Sequence, residues 1–228
     1  MQGLYLVTPN WDDTARLLEA SEEALDAGAA AKKADGGGNG VGNLVALLQY
    51  RHKEAGPDLR LEQAGALLAL CRRYGVPFIV NDFVDLCLHT GADGVHLGGT
   101  DADVAQVRGQ LGADKIIGAS CYGDMPRALA AQRAGASYVA FGGFYPSRVK
   151  QYAVTTRPEI LDQARETIGI PTVVIGGMTP ENAAPLVARG AGMVAAISSV
   201  YQAASVRGAV GEFASMFVIH NNRKSFQR

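Results

Sequence analysis

No stretch of the 228-residue chain comes near the roughly 18 consecutive apolar residues of a membrane-spanning helix, so no such helix is expected. Net charge is equally scarce: 21 Lys and Arg against 22 Asp and Glu leave a formal −1. That balance gives no electrostatic case for a nucleic-acid partner or an anionic membrane surface. The opening residues, Met1 to Pro9, lack a basic leader and pass at once into a strand-like run, which argues against a signal peptide. Cysteine occurs only at Cys71, Cys87 and Cys121, without metal-ligand spacing or an even count for pairing. Reduced structural thiols in a cytoplasmic protein are the expectation. What the chain does have is apolar material, 48% hydrophobic against 19% charged, enough for one large core.

That apolar material is distributed in short β-rich runs alternating with amphipathic stretches. Strands are predicted over 4–7, 44–49, 78–80, 94–96, 116–118, 138–141, 172–175 and 193–197. Helices are predicted near 12–27, 61–74, 84–90, 102–111, 125–134, 158–167 and 180–189, with a last one around 210–216. Strict alternation predicts a parallel sheet with right-handed crossovers. Eight strand-then-helix units in one chain favour an α/β fold closed as a TIM (β/α)8 barrel over an open sheet. A Gly-Ala echo precedes several strands, at Gly91-Ala92, Gly135-Ala136 and Gly190-Ala191, and suits helix ends that turn through positive φ. One catalytic domain over 1–220 is expected, followed by a frayed basic tail over 221–228. The segment from Ala30 to Asn43 breaks the rhythm with clustered glycines. It lacks the Lys-Ser/Thr ending of a P-loop and reads as a surface insertion.

In such a barrel the chemistry lies at the carboxyl ends of the strands. The second strand ends in Gln49-Tyr50-Arg51-His52-Lys53, where a period of two puts Gln49, Arg51 and Lys53 on one side. Arg51 and Lys53 would offer a fork of donors and a point charge to a diphosphate. The third and fourth strands lead to Asn81-Asp82 and to Asp101. Two carboxylates on neighbouring strands suit Mg²⁺, which takes one or two carboxylates plus substrate phosphate oxygens, although Asp101 could equally cap the following helix. His96 sits within an apolar run and reads either as a satisfied buried histidine or as a ligand or base. After the fifth strand Ser120 could donate to a phosphate or a ring nitrogen, and no Ser-His-Asp order supports a nucleophilic serine. A long lid-like loop after the sixth strand carries Ser147 and Lys150. Gly176-Gly177-Met178-Thr179-Pro180 and Ile197-Ser198 end the last two strands, where barrels commonly seat a phosphate.

These residues, in this order along nearly the whole chain, resemble the thiamine-phosphate synthase family (thiamine-phosphate pyrophosphorylase). The resemblance is carried by the run from Gly3 to Pro9, Gln49-x-Arg51-x-Lys53, the run from Tyr74 to Asp82, the run from Gly91 to Gly98 with Asp101, Gly118 to Ser120, Pro146-Ser147 with Lys150, Ile175-Gly176-Gly177 and Ile197-Ser198. It implies a transferase joining 4-amino-2-methyl-5-hydroxymethylpyrimidine diphosphate to a thiazole phosphate. By that resemblance Asp82 and Asp101 hold Mg²⁺, and Gln49, Arg51, Lys53, Asn81 and Lys150 grip the pyrimidine diphosphate. Ser120 lies near the reacting pyrimidine and, with Lys150, counts as catalytic. Ser147, Gly177, Ile197 and Ser198 bind the thiazole phosphate. The expected partners are small molecules, with neither nucleic acid nor membrane, and a homo-oligomer is allowed. Two positions depart from the family: Gly99 stands where glutamine is usual, and Val149 where threonine is usual. Two alternatives stay open, a thiazole tautomerase-like barrel, which resembles one using a histidine where Tyr122 stands, and a non-catalytic binder of thiamine precursors.

Overall fold

The computed structural model describes residues 1–34, 43–99, 103–146 and 156–225. Eight parallel strands close into a barrel in chain order: β1 (Gly3–Val7), β2 (Val45–Tyr50), β3 (Phe78–Asn81), β4 (Gly94–Leu97), β5 (Ile116–Tyr122), β6 (Tyr138–Gly142), β7 (Thr172–Ile175) and β8 (Met193–Ala196). The first strand closes the ring, pairing with β2 through Val7 opposite Gln49 and with β8 through Leu4 opposite Val194. Around it run α1 (Thr14–Ala34), α2 (Pro57–Tyr74), α3 (Val84–Thr90), α4 (Val104–Leu111), α5 (Met125–Arg133), α6 (Ile160–Thr167), α7 (Pro180–Ala188), α8 (Ser198–Tyr201) and α9 (Val206–Ser225). The expected (β/α)8 barrel is the fold.

Strand alternation divides the apolar residues into two cores. Tyr5, Val7, Leu47, Ile79, Tyr138, Ala140, Val173 and Met193 fill the barrel interior. Their outward neighbours, among them Leu4, Leu6, Leu48, Val80, Val139, Phe141 and Val174, pack against the helices. Phe213 and Phe217 of α9 are fully buried in that outer layer, with Leu17 and Leu25 of α1. Burial pushes the Cys71 and Cys121 thiols up to about 12 and raises Cys87 too, so the three free cysteines stay protonated.

Several boundaries differ from the sequence expectation for local reasons. Pro57 starts α2 one turn early, as proline suits the first helical position. Asp103 caps α4 by accepting from the Gln106 amide at 2.9 Å, so the helix cap proposed for Asp101 is taken by its neighbour. Helix α1 runs through Ala30 to Ala34, using good helix formers that precede the glycines. Residues 35–42 of the glycine-rich segment lie outside the described residues, and the last helix is longer than expected, ending at Ser225. The fifth strand continues past 118 because Ser120 and Tyr122 still pair with β6, across a register shift. Gly91, Gly135 and Gly190 all adopt positive φ at the amino-terminal side of the barrel, as their sequence position suggests.

Candidate active site

The strands deliver their carboxyl ends to one cavity of about 500 Å³. It is lined by Gln49, Arg51, Lys53, Asn81, Asp82, His96, Ser120, Gly177, Ile197 and Ser198, among others. Every site residue expected from sequence and lying within the described part of the chain is therefore in one place. Asp101, Ser147 and Lys150 lie outside the described residues, as does Val149.

The exit of β2 is held by Thr8. Its hydroxyl accepts from the Arg51 amide at 2.8 Å, and its own amide donates to the Gln49 carbonyl at 2.9 Å. This clamp carries the alternation beyond the end of the strand, so that Gln49, Arg51 and Lys53 all reach the cavity while Tyr50 and His52 do not. His52 instead packs outward, its Nε2 2.8 Å from Asp12 and its Nδ1 accepting from the Ala55 amide.

Asp82 sits one residue past β3 in a left-handed backbone conformation, φ 62°. Few non-glycine residues adopt it, and aspartate is among those that tolerate it best. The turn aims the carboxylate across the cavity edge. One oxygen accepts from the Gly98 amide at 3.1 Å; the other meets Lys53 Nζ at 2.9 Å and accepts from Asn81 Nδ2 at 2.6 Å. An anion with three donors, on a side chain that is 16% exposed, is a partly desolvated charge poised at the opening. Among the described residues no group of three or more His, Cys, Asp or Glu converges.

Opposite, β7 runs through Gly176 and Gly177, with φ 107° and 62°, into α7. The Thr179 hydroxyl caps that helix by accepting from the Asn182 amide, and Asn182 Oδ1 accepts in turn from the Thr179 amide at 2.8 Å. Asn182 Nδ2 also donates to the Gly177 carbonyl at 2.8 Å, tying the glycine turn to the helix start. Thr179→Ala should lower stability by about 1 kcal/mol, read as a lower urea midpoint.

Two aromatic residues beside the cavity, Tyr5 and Tyr138, escaped sequence reading as functional groups. Tyr5 and Tyr138 point inward from β1 and β6, and their alternation with outward-facing Leu4, Leu6 and Val139 was the available signal. Burial raises the pKa of both phenols far above the usual value, holding them neutral. His96 is buried and satisfied, as one of the two sequence readings had it, and it faces the cavity as well, with Nδ1 3.0 Å from Tyr138 Oη and Nε2 2.9 Å from Ser120 Oγ. Tyr122, φ 52°, stands at the mouth with the Arg127 guanidinium over its ring. A Cβ at Gly99 would lie 2.2 Å from Arg127 Nη1 and 2.5 Å from Tyr122 Cε2. The glycine that departs from the family pattern thus makes room for this pair, and its carbonyl accepts from Arg127 at 3.1 Å.

A profile of the thiamine monophosphate synthase family matches residues 4–200. The chain belongs to this family. It is 57% identical over 217 residues to the thiamine-phosphate synthase of Janthinobacterium sp. (strain Marseille), covering 95% of this chain and 97% of that one. The thiamine-phosphate synthase of Xylella fastidiosa (strain Temecula1) is 44% identical over 218 residues, 96% of this chain and 86% of the relative. A solved thiamine phosphate pyrophosphorylase from Pyrococcus furiosus superposes with a TM-score of 0.76 at 31% identity, covering 96% of each chain. The protein is accordingly an enzyme, a transferase acting on small molecules, which sets aside the non-catalytic binder.

Proposed function

We propose that the protein condenses 4-amino-2-methyl-5-hydroxymethylpyrimidine diphosphate with 4-methyl-5-(2-phosphoethyl)thiazole, giving thiamine phosphate and pyrophosphate. The observation that carries this reading is the division of one cavity into a charged edge and a glycine-turn edge. Arg51, Lys53, Asn81 and Asp82 make the first, Gly176, Gly177, Ile197 and Ser198 the second. Two anionic groups, a diphosphate and a monophosphate, then have separate seats with room for two heterocycles between them.

The diphosphate belongs at the charged edge. Negative charge accumulates on it as the carbon–oxygen bond breaks, so donors fixed there act mainly in the transition state. In this reading Lys150 adds to Arg51 and Lys53 as a cation on the leaving group, with Gln49 and Asn81 orienting the pyrimidine part. The aminopyrimidine delocalises positive charge on its exposed methylene, which makes a dissociative substitution reasonable. The thiazole nitrogen attacks that carbon, and no protein nucleophile is needed. Backbone amides near Gly177, Ile197 and Ser198, with the Ser147 hydroxyl, seat the thiazole phosphate. Holding both partners in one pocket supplies much of the remaining acceleration.

The donor set fits Mg²⁺. The Asp82 carboxylate offers hard oxygen ligands at the cavity edge, beside the cations that would meet the diphosphate, and Asp101 follows the adjacent strand. Bound there with the diphosphate, Mg²⁺ would neutralise charge on the departing oxygens. Work in the cytoplasm is part of the same reading, supported by three free buried thiols. The tautomerase-like alternative is less well supported, because Tyr122 brings a phenol rather than an imidazole to the mouth.

The test is pyrophosphate release from purified protein with both substrates and Mg²⁺, repeated without the thiazole. Release that depends on both partners and falls by about tenfold or more with a chelator supports the reading. Turnover indifferent to the chelator removes the metal from it, and no release with both substrates removes the reaction.

A further inference from the structure

Five side chains from five strands form one hydrogen-bonded line across the barrel, along the floor of the cavity. Gln49 Nε2 donates to Tyr5 Oη at 2.8 Å. The hydroxyls of Tyr5 and Tyr138 lie 2.6 Å apart. Tyr138 Oη then meets His96 Nδ1, and His96 Nε2 meets Ser120 Oγ, at 3.0 and 2.9 Å. The four residues from Gln49 to His96 are 8% exposed or less, so these contacts are largely shielded from bulk solvent. Ring packing fixes the middle of the line: Tyr5 stands edge-on to Tyr138, and His96 stacks on Tyr138 with 18° between the planes. The backbone makes space for it too. A Cβ at Gly118 would lie 2.0 Å from Tyr138 Cζ and 2.2 Å from its oxygen, so only glycine at 118 leaves the phenol where it is.

Such a line has a direction. An amide nitrogen only donates, so Tyr5 accepts at the Gln49 end and has one proton left to give. Both phenols are kept neutral by burial, so each has that proton. Tyr5 passes its proton toward Tyr138, and Tyr138 toward His96 Nδ1. A neutral imidazole with Nδ1 accepting carries its hydrogen on Nε2 and donates it to Ser120 Oγ. Ser120 is then an acceptor toward the protein, and its own proton is left for the cavity it lines.

We propose that Tyr5, Tyr138 and His96 are positioning residues that fix Ser120 as a hydrogen-bond donor toward a ring nitrogen of the bound heterocycle. The proposal rests on the reading of the cavity as a pyrimidine site and adds which way its serine hydroxyl points. A ring nitrogen suits that donor better than a phosphate oxygen does. Among the described residues, the cations that suit phosphate come from the end of β2 and the backbone turns that suit it from the ends of β7 and β8, whereas Ser120 is on β5 beside an imidazole. A heterocycle presenting N–H at this point would meet a donor and be rejected, so the line is also a specificity device.

The imidazole tautomer is read directly by long-range proton–nitrogen correlation spectra of the full chain labelled with nitrogen-15. The His96 signal is assigned by its loss in His96→Gln. In the wild-type protein without substrates, His96 should carry its proton on Nε2. Tyr138→Phe keeps the ring and removes the hydroxyl, and should give a mixture of the two tautomers. The same variant should lower kcat about tenfold while leaving KM for the thiazole phosphate within about twofold, since the lost constraint acts on the other substrate. A proton on Nδ1 in the wild type, or an unchanged tautomer in Tyr138→Phe, overturns the proposal whether or not the variant is active. Failure of the wild type to release pyrophosphate would instead refute the substrate reading, and the spectra would still decide the direction of the line.

Discussion

Asp82→Ala is expected to lower the rate of pyrophosphate release by about tenfold or more, the largest single-site effect on turnover. The contacts that end with this change include the ion pair to Lys53 and the bonds from Asn81 and from the Gly98 amide. Lys53, whose side chain is 48% exposed, loses the anion beside it and samples other rotamers, so the diphosphate would meet a less ordered cation. If Asp82 is also a metal ligand, the divalent ion is lost with it. The left-handed backbone at 82 adds a complication, because alanine is strained there by about 1 kcal/mol. Two further variants separate these causes. Asp82→Gly removes the carboxylate and relieves the backbone, and Asp82→Asn keeps the shape and tolerates positive φ while removing charge. If the carboxylate carries the effect, all three variants lose turnover, and only alanine also loses a measurable part of its urea midpoint. Turnover restored in Asp82→Gly would show that backbone geometry, not charge, was responsible.

The second large effect is expected at Gly177. A Cβ there would lie 2.2 Å from the Pro146 carbonyl oxygen and 3.0 Å from its carbon, and φ is 62°. The obstacle is backbone, so no side-chain rotation relieves it; either the β6–α6 connection moves or the Gly176-Gly177 turn does. Movement of the turn shifts the Gly177 carbonyl that accepts from Asn182, and movement of the connection disturbs Tyr145, whose hydroxyl donates to the Asn182 carbonyl, so both loosen the start of α7. Gly177→Ala should therefore raise KM for the thiazole phosphate about tenfold or more and lower the melting temperature, while affinity for the pyrimidine diphosphate at the opposite edge changes little. Steady-state kinetics with each substrate varied in turn would check it. Equal weakening toward both substrates would mean that the two edges of the cavity are not independent.

The reach of sequence reading follows the distance over which each feature is determined. Strand and helix order was legible because alternation and 3.6-residue periodicity are local. Gly91, Gly135 and Gly190 were legible as turns for the same reason. The gathering of Gln49, Arg51, Lys53, Asn81, Asp82 and Ser120 was legible because strand ends in a closed parallel barrel must share one face. The line beneath them was not. Tyr5 and Tyr138 are 133 residues apart, and their contact exists only once the ring has closed with a given stagger. Nor was the backbone conformation of Asp82, since a positive φ leaves no mark on neighbouring residue types when the residue itself tolerates it. The exchange at Gly99 became intelligible only when Tyr122 and Arg127, more than 20 positions on, were seen to fill the space of the missing side chain.

Closure of the ring through β1 has a consequence for synthesis. Gly3 to Leu6 pair with Met193 to Ala196, so one edge of the first strand waits until these residues, about 190 positions later, have left the ribosome. For that interval the N–H and C=O groups along one side of this largely apolar strand have their partner still to come. Nascent chains stalled before residue 193 should therefore be the species most prone to associate with one another and most in need of a holdase.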